Sequence, residues 1–505
     1  MKALAFFLLL ICPVALLAQK IFYSDPEQED TRRTNFEIIG RVGGNILVFK
    51  NNHAENAVCV YDEDMKLLQR ASMDFLPERY INIDFIQYQD FCYMIYEYQK
   101  KNIVHCSAVK LDGMARRMGS PVDLDTTQIS FAANNKIYTT VFSEDKQHIM
   151  VFKINSRNPS NYLFTSFLYD KQLELLDRHR IGLPMDDRNE MVSNFSLDNE
   201  GTLVFGKYEK SSGGADYVSR VSVVTKGPTS DTFSVRDIGT NERVLDEIKI
   251  KVDNENKRFI LTGFYYKQKK GNIEGVYTVL WDKATDSKIK ETVTVFSDEL
   301  RSLAKSSEEN QKMAFNDFFI KNIIVEKDGG YLLVSECEFT TSRGVPFNRW
   351  DYLYGYNPMM SPMDYYYSPY YNPYYPYNRY GYGNSATRYN AENILVLSFD
   401  KDGNLEWSNV IPKSQFDDET QNLISHHIMN TGGELHFLYN QYERRTQLLS
   451  DQSISPEGKL TRYPTLRNLD KGYDFMPRYG KQIAGREILI PCLYRNYLCM
   501  AKIEF

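Results

Sequence analysis

The chain has 505 residues, of which 42% are apolar and 25% are charged, a balance typical of globular rather than disordered proteins. Its formal net charge of −6 argues against a nucleic-acid-binding protein, which would carry a basic surface. No apolar run after the N-terminal one reaches the roughly 18 residues that a membrane-spanning helix needs, which predicts no transmembrane segment in the mature chain.

Residues 1–18 have the pattern of a signal peptide. Lys2 precedes an apolar run over 3–17, and Ala18 is the small residue at which a signal peptidase cuts. We therefore expect a mature chain of residues 19–505. This chain would be exported to the periplasm, the cell surface or the extracellular space.

Beyond residue 18, strand signals alternate with turn signals. Segments rich in Val, Ile, Phe and Tyr follow turns that contain Gly, Asp or Asn. These segments are NILVFK, CYMIYEY, HIMVFKI, TLVFGKY, RFILTGFYY, YLLVSECEF, ELHFLYN and EILIPCLY. Each of the first seven hairpins is followed by a third strand, a second turn and a more polar fourth strand. The unit is therefore four antiparallel strands over roughly 50 residues.

With four-stranded units at this period, the chain resembles the β-propeller superfamily. The resemblance implies an all-β fold of eight four-stranded antiparallel blades in a single domain over 19–505. The eighth unit lacks a fourth strand, because only one strand follows its hairpin turn before residue 505. Since an unpaired strand would leave an exposed edge, we expect residues 20–23 to join the C-terminal blade and close the ring. The alternative is seven blades with a terminal unit packed differently.

Two stretches interrupt the regular spacing. In 297–317, Ser297 is an expected N-cap and Leu300 and Ala304 have helical spacing, which predicts a short helix between the fifth and sixth blades. In 340–392, a loop rich in tyrosine and proline separates the second and third strands of the sixth blade. Both kinds of connection emerge on the same face of a propeller, so we expect the two insertions to share one face.

The second insertion carries the candidate binding residues. It reads YYYSPYYNPYYPYNRYGYGN over 365–384. Tyrosine offers a stiff aromatic surface with a hydroxyl at its tip, which suits binding, and proline favours extended backbone. The candidate binding residues are Tyr365, Tyr366, Tyr367, Tyr370, Tyr371, Tyr374, Tyr375, Tyr377, Tyr380 and Tyr382. They would bind an envelope protein or a glycan; the alternative is an insertion with no dedicated ligand.

The cysteines after residue 18 show no metal-binding spacing. In an exported protein they can form disulfides. If residues 495–496 form a two-residue hairpin turn, Cys492 and Cys499 fall opposite each other. Cys92 and Cys106 would pair across their own hairpin in the same way. The alternative is that these cysteines are buried free thiols.

The chain lacks the common motifs for catalysis, metal binding and cofactor binding. There is no HExxH, GxSxG or Walker loop, and no GxGxxG before a helix. DKDGN at 400–404 and DNEG at 198–201 indicate tight turns rather than calcium loops. His426 and His427 are neighbours on a strand, so their side chains point to opposite faces and cannot readily chelate one ion. We therefore expect no metal and no cofactor.

These patterns favour a non-catalytic binding or scaffolding protein of a bacterial-type cell envelope, with the two insertions as its interaction face. The competing interpretation is a propeller glycoside hydrolase or lyase that acts on a polysaccharide. An enzyme of that kind predicts a deep central pocket lined by carboxylates or histidines from different blades. A binding protein predicts a filled or apolar channel and a tyrosine-covered face.

Overall fold

The fold is an all-β propeller. The computed structural model describes residues 19–27, 35–51, 55–130, 132–133, 136–185, 190–211, 217–240, 243–268, 271–305, 311–342, 349, 353, 366–367, 387–418, 420–443, 446–466 and 472–505. Among these residues, the strands form seven antiparallel sheets of four to eight strands, which divide into eight blades because the eight-stranded sheet contains two successive four-stranded blades. In the first seven blades, the strands follow one another from the inside of the ring to the outside.

The first half of the chain forms blades 1 to 4, after β1 (Lys20–Tyr23). Blade 1 contains β2 (Asn35–Val42), β3 (Asn45–Asn51), β4 (Asn56–Tyr61) and β5 (Leu67–Ser72). Blade 2 contains β6 (Asn82–Gln87), β7 (Phe91–Lys100), β8 (Ile103–Asp112) and β9 (Val122–Gln128). Blade 3 contains β10 (Tyr138–Phe142), β11 (His148–Asn155), β12 (Asn161–Asp170) and β13 (Leu175–Pro184). Blade 4 contains β14 (Glu190–Leu197), β15 (Leu203–Lys210), β16 (Val218–Lys226) and β17 (Ser234–Asp237).

The second half forms blades 5 to 8. Blade 5 contains β18 (Val244–Asp253), β19 (Arg258–Tyr266), β20 (Ile273–Asp282) and β21 (Ser287–Val295), and is followed by α1 (Asp298–Ala304) and a 3-10 turn (Gln311–Met313). Blade 6 contains β22 (Phe318–Val325), β23 (Tyr331–Ser342), β25 (Thr387–Phe399) and β26 (Leu405–Ile411), with β24 (Tyr366–Tyr367) between β23 and β25, and β27 (Gln415–Asp418) paired back to β25. Blade 7 contains β28 (His426–Asn430), β29 (Leu435–Glu443), β30 (Thr446–Ile454) and β31 (Leu460–Arg462). Blade 8 contains β32 (Tyr473–Phe475), a 3-10 turn (Pro477–Tyr479), β33 (Lys481–Ala484), β34 (Glu487–Tyr494) and β35 (Tyr497–Glu504).

The first strands of neighbouring blades lie side by side around the centre. β2 contacts β6, β10 contacts β14, and β18 contacts both β14 and β22. β2 also contacts β33, which brings the last blade against the first. The first strands therefore surround a central channel.

The hydrophobic core is divided between the blades. Among the described residues it forms eight clusters, and each is shared by two neighbouring blades. Between blades 1 and 2, the rings of Phe49 and Phe85 have centroids 5.5 Å apart. Between blades 8 and 1, Met500 packs with Ile38 and Val48. Every sheet thus buries apolar side chains on both of its faces, as a closed ring of sheets requires.

β1 is the outermost strand of blade 8. It pairs antiparallel with β35, and Ile21 lies opposite Ile503. The ring of Tyr23 stacks on that of Tyr473, with centroids 4.2 Å apart. The N-terminal strand therefore covers the edge that β35 would otherwise expose. This confirms the predicted closure of the ring and the count of eight blades.

Aspartates organise many of the tight turns. Oδ1 of Asp400 accepts hydrogen bonds from the backbone N–H groups of Asp402 at 2.9 Å and Asn404 at 2.8 Å. Gly403, between those two donors, has a φ of 77°. The same arrangement recurs at Asp62, Asp112, Asp170 and Asp198. In each case the carboxylate accepts hydrogen bonds from the backbone N–H groups two and four residues later, and the residue three positions later has a positive φ. DKDGN and DNEG are therefore turns, as predicted.

The hairpin between β34 and β35 brings two cysteines together. Arg495 and Asn496 have positive φ values of 50° and 67°, as in a type I′ turn. Cys492 consequently lies opposite Cys499, and their Sγ atoms are 2.8 Å apart. The predicted two-residue turn is confirmed, and a disulfide between these cysteines stays a prediction.

The other candidate cysteine pair is separated. Cys92 lies opposite Leu111, and Cys106 lies opposite Glu97. Cys106 is near the turn of this hairpin, whereas Cys92 is near its open end. The two thiols also belong to different core clusters, on opposite faces of blade 2. The predicted pairing of Cys92 with Cys106 is therefore wrong.

α1 lies between blades 5 and 6. The hydroxyl of Ser297 accepts a hydrogen bond from the backbone N–H of Leu300 at 3.1 Å and caps the helix. Leu300 and Ala304 are buried in the cluster that blades 5 and 6 share. Nδ2 of Asn393, in β25, donates to the carbonyl of Ala304 at 3.0 Å and holds the helix against blade 6. In the part of the chain that the structure describes, no helix has the length and apolarity needed to cross a membrane.

Candidate functional site

Two residues of the tyrosine-rich insertion pair with a strand of another blade. Connections between blades and between second and third strands lie on one side of the propeller, here called the upper face. The insertion leaves blade 6 after Ser342 and returns at Thr387, which lies directly opposite in the sheet. Tyr366 and Tyr367 form β24, which pairs antiparallel with the end of β11 in blade 3. The insertion of blade 6 is therefore held by a blade three positions away.

The structure describes the backbone of two of the predicted binding tyrosines, Tyr366 and Tyr367. The other predicted positions lie outside the described residues: Tyr365, Tyr370, Tyr371, Tyr374, Tyr375, Tyr377, Tyr380 and Tyr382. Binding of a partner by these tyrosines stays a prediction.

A second contact ties the insertion to blades 5 and 6. The guanidinium of Arg349 forms a salt bridge with Asp246 of β18, with Nη2 2.7 Å from Oδ2 and Nε 3.0 Å from Oδ1. Arg349 also donates to the carbonyls of Asn316 at 2.9 Å and Phe318 at 2.6 Å, and it lies 4.1 Å from the ring centroid of Phe319. Charge-assisted bonds of this kind are the stronger ones in proteins. Arg349 therefore anchors one end of the insertion to the upper ends of β18 and β22.

The channel carries charged side chains from several blades. Glu37 comes from β2, Asp84 from β6 and Lys481 from β33. Nζ of Lys136 lies 2.7 Å from Oδ2 of Asp84 and 3.1 Å from Oδ1. Lys481 donates to the carbonyls of β2 at residues 38 and 39, both at 3.0 Å. The channel in this region is polar, not filled by apolar side chains as a simple binding propeller predicts.

Glu37 is the most perturbed carboxyl group of this cluster. Burial and then the negative charge of Asp84 raise the pKa of Glu37, Lys481 and Lys136 offset part of this effect, and the resulting pKa is about 8. Glu37 therefore carries a proton at neutral pH. A protonated carboxyl beside a second carboxylate can donate a proton or a hydrogen bond to a ligand.

Replacement of Glu37 by glutamine is expected to flatten the decline of stability with rising pH. The pKa of Glu37 is higher in the folded chain than in the unfolded chain. Its contribution to stability is therefore complete below the unfolded value of about 4.5 and is lost as pH rises towards 8. Melting temperatures of wild type and Glu37→Gln from pH 5 to pH 9 measure this, and the variant should be the more stable at the alkaline end. Glu255→Gln, in an exposed turn, is the control, and identical pH profiles for wild type and Glu37→Gln would contradict the assignment.

Sequence reasoning missed this channel cluster. The signal was present in the repeat, because Glu37 in NFEII and Asp84 in NIDFI occupy the same third position of a first strand that begins with asparagine. Asp246 is likewise the third residue of β18. Superposing the repeats on their first strands would have brought these acidic residues together.

A buried polar cluster joins blades 6 and 7. The side chain of Glu336 is 0% exposed and that of Lys413 is 1% exposed, and Nζ of the lysine lies 2.8 Å from Oε1 of the glutamate. Nδ1 of His426 lies 3.0 Å from the same oxygen, and the hydroxyl of Ser425 donates to Oε2. Lys413 also donates to Oε1 of Gln415 at 2.7 Å. The charges of this cluster are satisfied within the protein.

The cluster contains the residue types of a hydrolase triad but not its geometry. Ser425 and His426 both bond to Glu336, so the histidine does not take the proton of the serine hydroxyl. On the other face of the strand, burial and then His426 lower the pKa of His427 to about 4, which leaves that ring neutral at pH 7. The described residues contain no group of three His, Cys, Asp or Glu side chains placed to hold a metal ion.

Comparisons with known proteins return likeness of fold alone. No family model matches the chain, and no curated protein matches it. Among solved structures, the chain is similar to a prolyl endopeptidase, with a TM-score of 0.41, 10% identity, and coverage of 92% of this chain and 55% of the other. It is also similar to prolyl oligopeptidase B from Galerina marginata, with a TM-score of 0.40, 7% identity, and coverage of 92% and 56%.

An ulvan lyase, described as a new family of polysaccharide lyase, gives a TM-score of 0.35 at 10% identity, with coverage of 82% of this chain and 90% of the lyase. The chain spans little more than half the length of the two prolyl peptidases. Similarity at this level carries no argument about activity.

Proposed function

We propose that the protein is an exported, non-catalytic β-propeller that binds or scaffolds a component of a bacterial-type cell envelope through its upper face. The proposal places the tyrosine-rich insertion and the neighbouring 297–317 segment at the interaction surface. It takes residues 1–18 as a cleaved signal peptide. The partner is an envelope protein or a glycan that packs against tyrosine rings.

The anchoring of the insertion is the observation that supports this proposal. Arg349 bonds to Asp246 of blade 5, and β24 pairs with β11 of blade 3. Contacts with two other blades are more than a loop needs merely to connect two strands of one blade. A ligand that approaches the upper face meets a segment held at two points. Such a hold reduces the entropy lost on binding.

Substitution of the ten predicted tyrosines by serine tests the proposal. The mature chain and the variant are mixed with isolated cell envelopes, and the bound fraction is measured by co-sedimentation. We expect the serine variant to lose at least about tenfold in affinity, because each aromatic contact contributes about 0.5–1.5 kcal/mol beyond its buried area. Equal sedimentation of the two chains would overturn the proposal.

A matched variant separates the ring from the hydroxyl. The ten tyrosines replaced by phenylalanine keep the aromatic surface and should retain most of the binding. Envelopes treated with protease distinguish the partner classes, because a protein partner is removed and a glycan partner remains.

The channel supports a second candidate, an enzyme that cleaves a polysaccharide. Glu37 is protonated at neutral pH, whereas the neighbouring Asp84 is paired with Lys136. A carboxylic acid and a carboxylate from different blades are the groups that such cleavage uses. Release of reducing or unsaturated ends from a polysaccharide panel by the wild type, with loss in Glu37→Gln, would favour this candidate. No release from any substrate would remove it.

A further inference from the structure

A cavity opens at the lower mouth of the channel, on the face opposite the insertion. Its volume is about 520 Å³. It lies among hairpin turns of blades 1 to 3 and the end of β33. We call it the lower-mouth cavity, and its lining residues are Arg41, Gly44, Gln87, Tyr88, Gln89, Asp145, Lys146, Gln147, Lys171 and Ile483.

Two lysines of this cavity have no carboxylate partner among the described residues. Nζ of Lys146 donates to the carbonyl of Gln87 at 2.7 Å and to Oε1 of the same residue at 3.5 Å, which leaves one of its three N–H groups to bond elsewhere. Nζ of Lys171 lies 5.3 Å from the ring centroid of Tyr88, and that ring stacks on Phe91. The two ammonium groups are therefore positioned by neutral neighbours.

The carboxylate of the cavity does not neutralise these lysines. Oδ1 of Asp145 accepts hydrogen bonds from the hydroxyl of Ser143 at 2.6 Å and from the backbone N–H of Gln147 at 3.0 Å. Asp145 thus caps its own turn. Lys146 and Lys171 carry two positive charges against the one negative charge of Asp145, so these three groups keep one positive charge in excess, which attracts anions.

Arg41 is bonded to two carboxylates. Its terminal nitrogens bond to Glu63 and Glu487, but its Nε–H is buried without an acceptor in the protein.

A further cation, Lys481, lies deeper in the channel. Burial lowers the pKa of Lys146, and the positive charge of Lys481 lowers it further. The ammonium groups of Lys146 and Lys481 therefore repel each other across the channel. An anion bound beside Lys146 would offset this repulsion.

We propose that the lower-mouth cavity is a binding site for a small anion, a ligand that bears carboxylate or phosphate groups. Lys146 and Lys171 hold the charge. The site lies on the opposite face from the insertion and is independent of what the insertion binds.

Calorimetric titration of the mature protein with two probes, inorganic phosphate and trigalacturonic acid, tests this inference. We expect at least one probe to bind, with an affinity that falls as sodium chloride is raised. Lys146→Gln and Lys171→Gln should each weaken binding about tenfold, which corresponds to the loss of a charge-assisted hydrogen bond. Lys66→Gln, at an exposed turn of the same face, is the matched control.

The two probes distinguish the source of the anionic group. Binding of phosphate alone assigns a phosphate ligand, and binding of trigalacturonic acid alone assigns a sugar acid. If neither probe binds at concentrations up to about 10 mM, the proposal is overturned. Binding that is equal in wild type and both lysine variants also overturns it, provided that their melting temperatures match and show that the variants are folded.

Discussion

Removal of residues 19–23 is expected to lower the free energy of unfolding by about 5 kcal/mol, because it takes away the apolar contacts and ladder hydrogen bonds of β1. Ile21, Phe22 and Tyr23 are all half-buried against blade 8 and its neighbours. Loss of β1 also exposes the edge of β35, which can then pair with another chain. Thermal unfolding and sedimentation velocity should show a lower melting temperature and concentration-dependent association.

A control variant separates the strand from the length of the chain. Residues 20–23 replaced by Gly-Ser-Gly-Ser keep the length but lose the side chains, so this variant should resemble the deletion. Lys20→Thr, which changes only an exposed side chain, should resemble the wild type. A deletion that melts like the wild type and stays monomeric would show that β1 does not hold the ring closed.

Glu336→Ala is expected to destabilise the protein by about 3–5 kcal/mol, because it leaves the buried ammonium of Lys413 without its carboxylate. Chemical denaturation measures this difference. The double variant Glu336→Leu and Lys413→Met removes both charges and should recover much of the loss. Glu63→Ala is the control, since Glu63 is 56% exposed in its pair with Arg41 and should cost no more than about 1 kcal/mol.

The effect of Glu336 should depend on pH in a defined direction. Burial acts to raise the pKa of Glu336, but Lys413 and His426 outweigh burial and hold it well below the ordinary value. The stabilisation by Glu336 is therefore present above the unfolded pKa of about 4.5 and is lost as pH falls through the folded value. If the difference in free energy of unfolding between wild type and Glu336→Ala disappeared between pH 5 and pH 8, this assignment would be wrong.

The ring and its closure could be predicted because each depends on signals that are local in the chain. Aspartate turns such as the one at Asp400 mark where strands end. Residues 20–23 could be assigned to the last blade because one strand was missing there and one was unassigned elsewhere. The turn at 495–496 likewise placed Cys492 opposite Cys499.

The acidic residues at the third position of the first strands could be found from the repeat, but their charged partners could not, because these pairs depend on contacts between distant segments. Arg349 and Asp246 are far apart in the chain, and nothing near either residue marks the other as its partner. The same is true of Lys413 and Glu336. The error for Cys92 and Cys106 is of another kind. The prediction placed them opposite each other because they are close in sequence on one hairpin. Their register depends on the position of the turn between β7 and β8.

Closure of the propeller by β1 has a consequence for the order in which the molecule can form. β1 precedes all the other described strands in the chain, and its partner β35 follows all of them. Before β35 is present, β1 has no strand to pair with, and the cluster between blades 8 and 1 cannot assemble. Contacts between such distant parts of a chain form slowly. The ring of a nascent chain therefore remains open until β35 has been made.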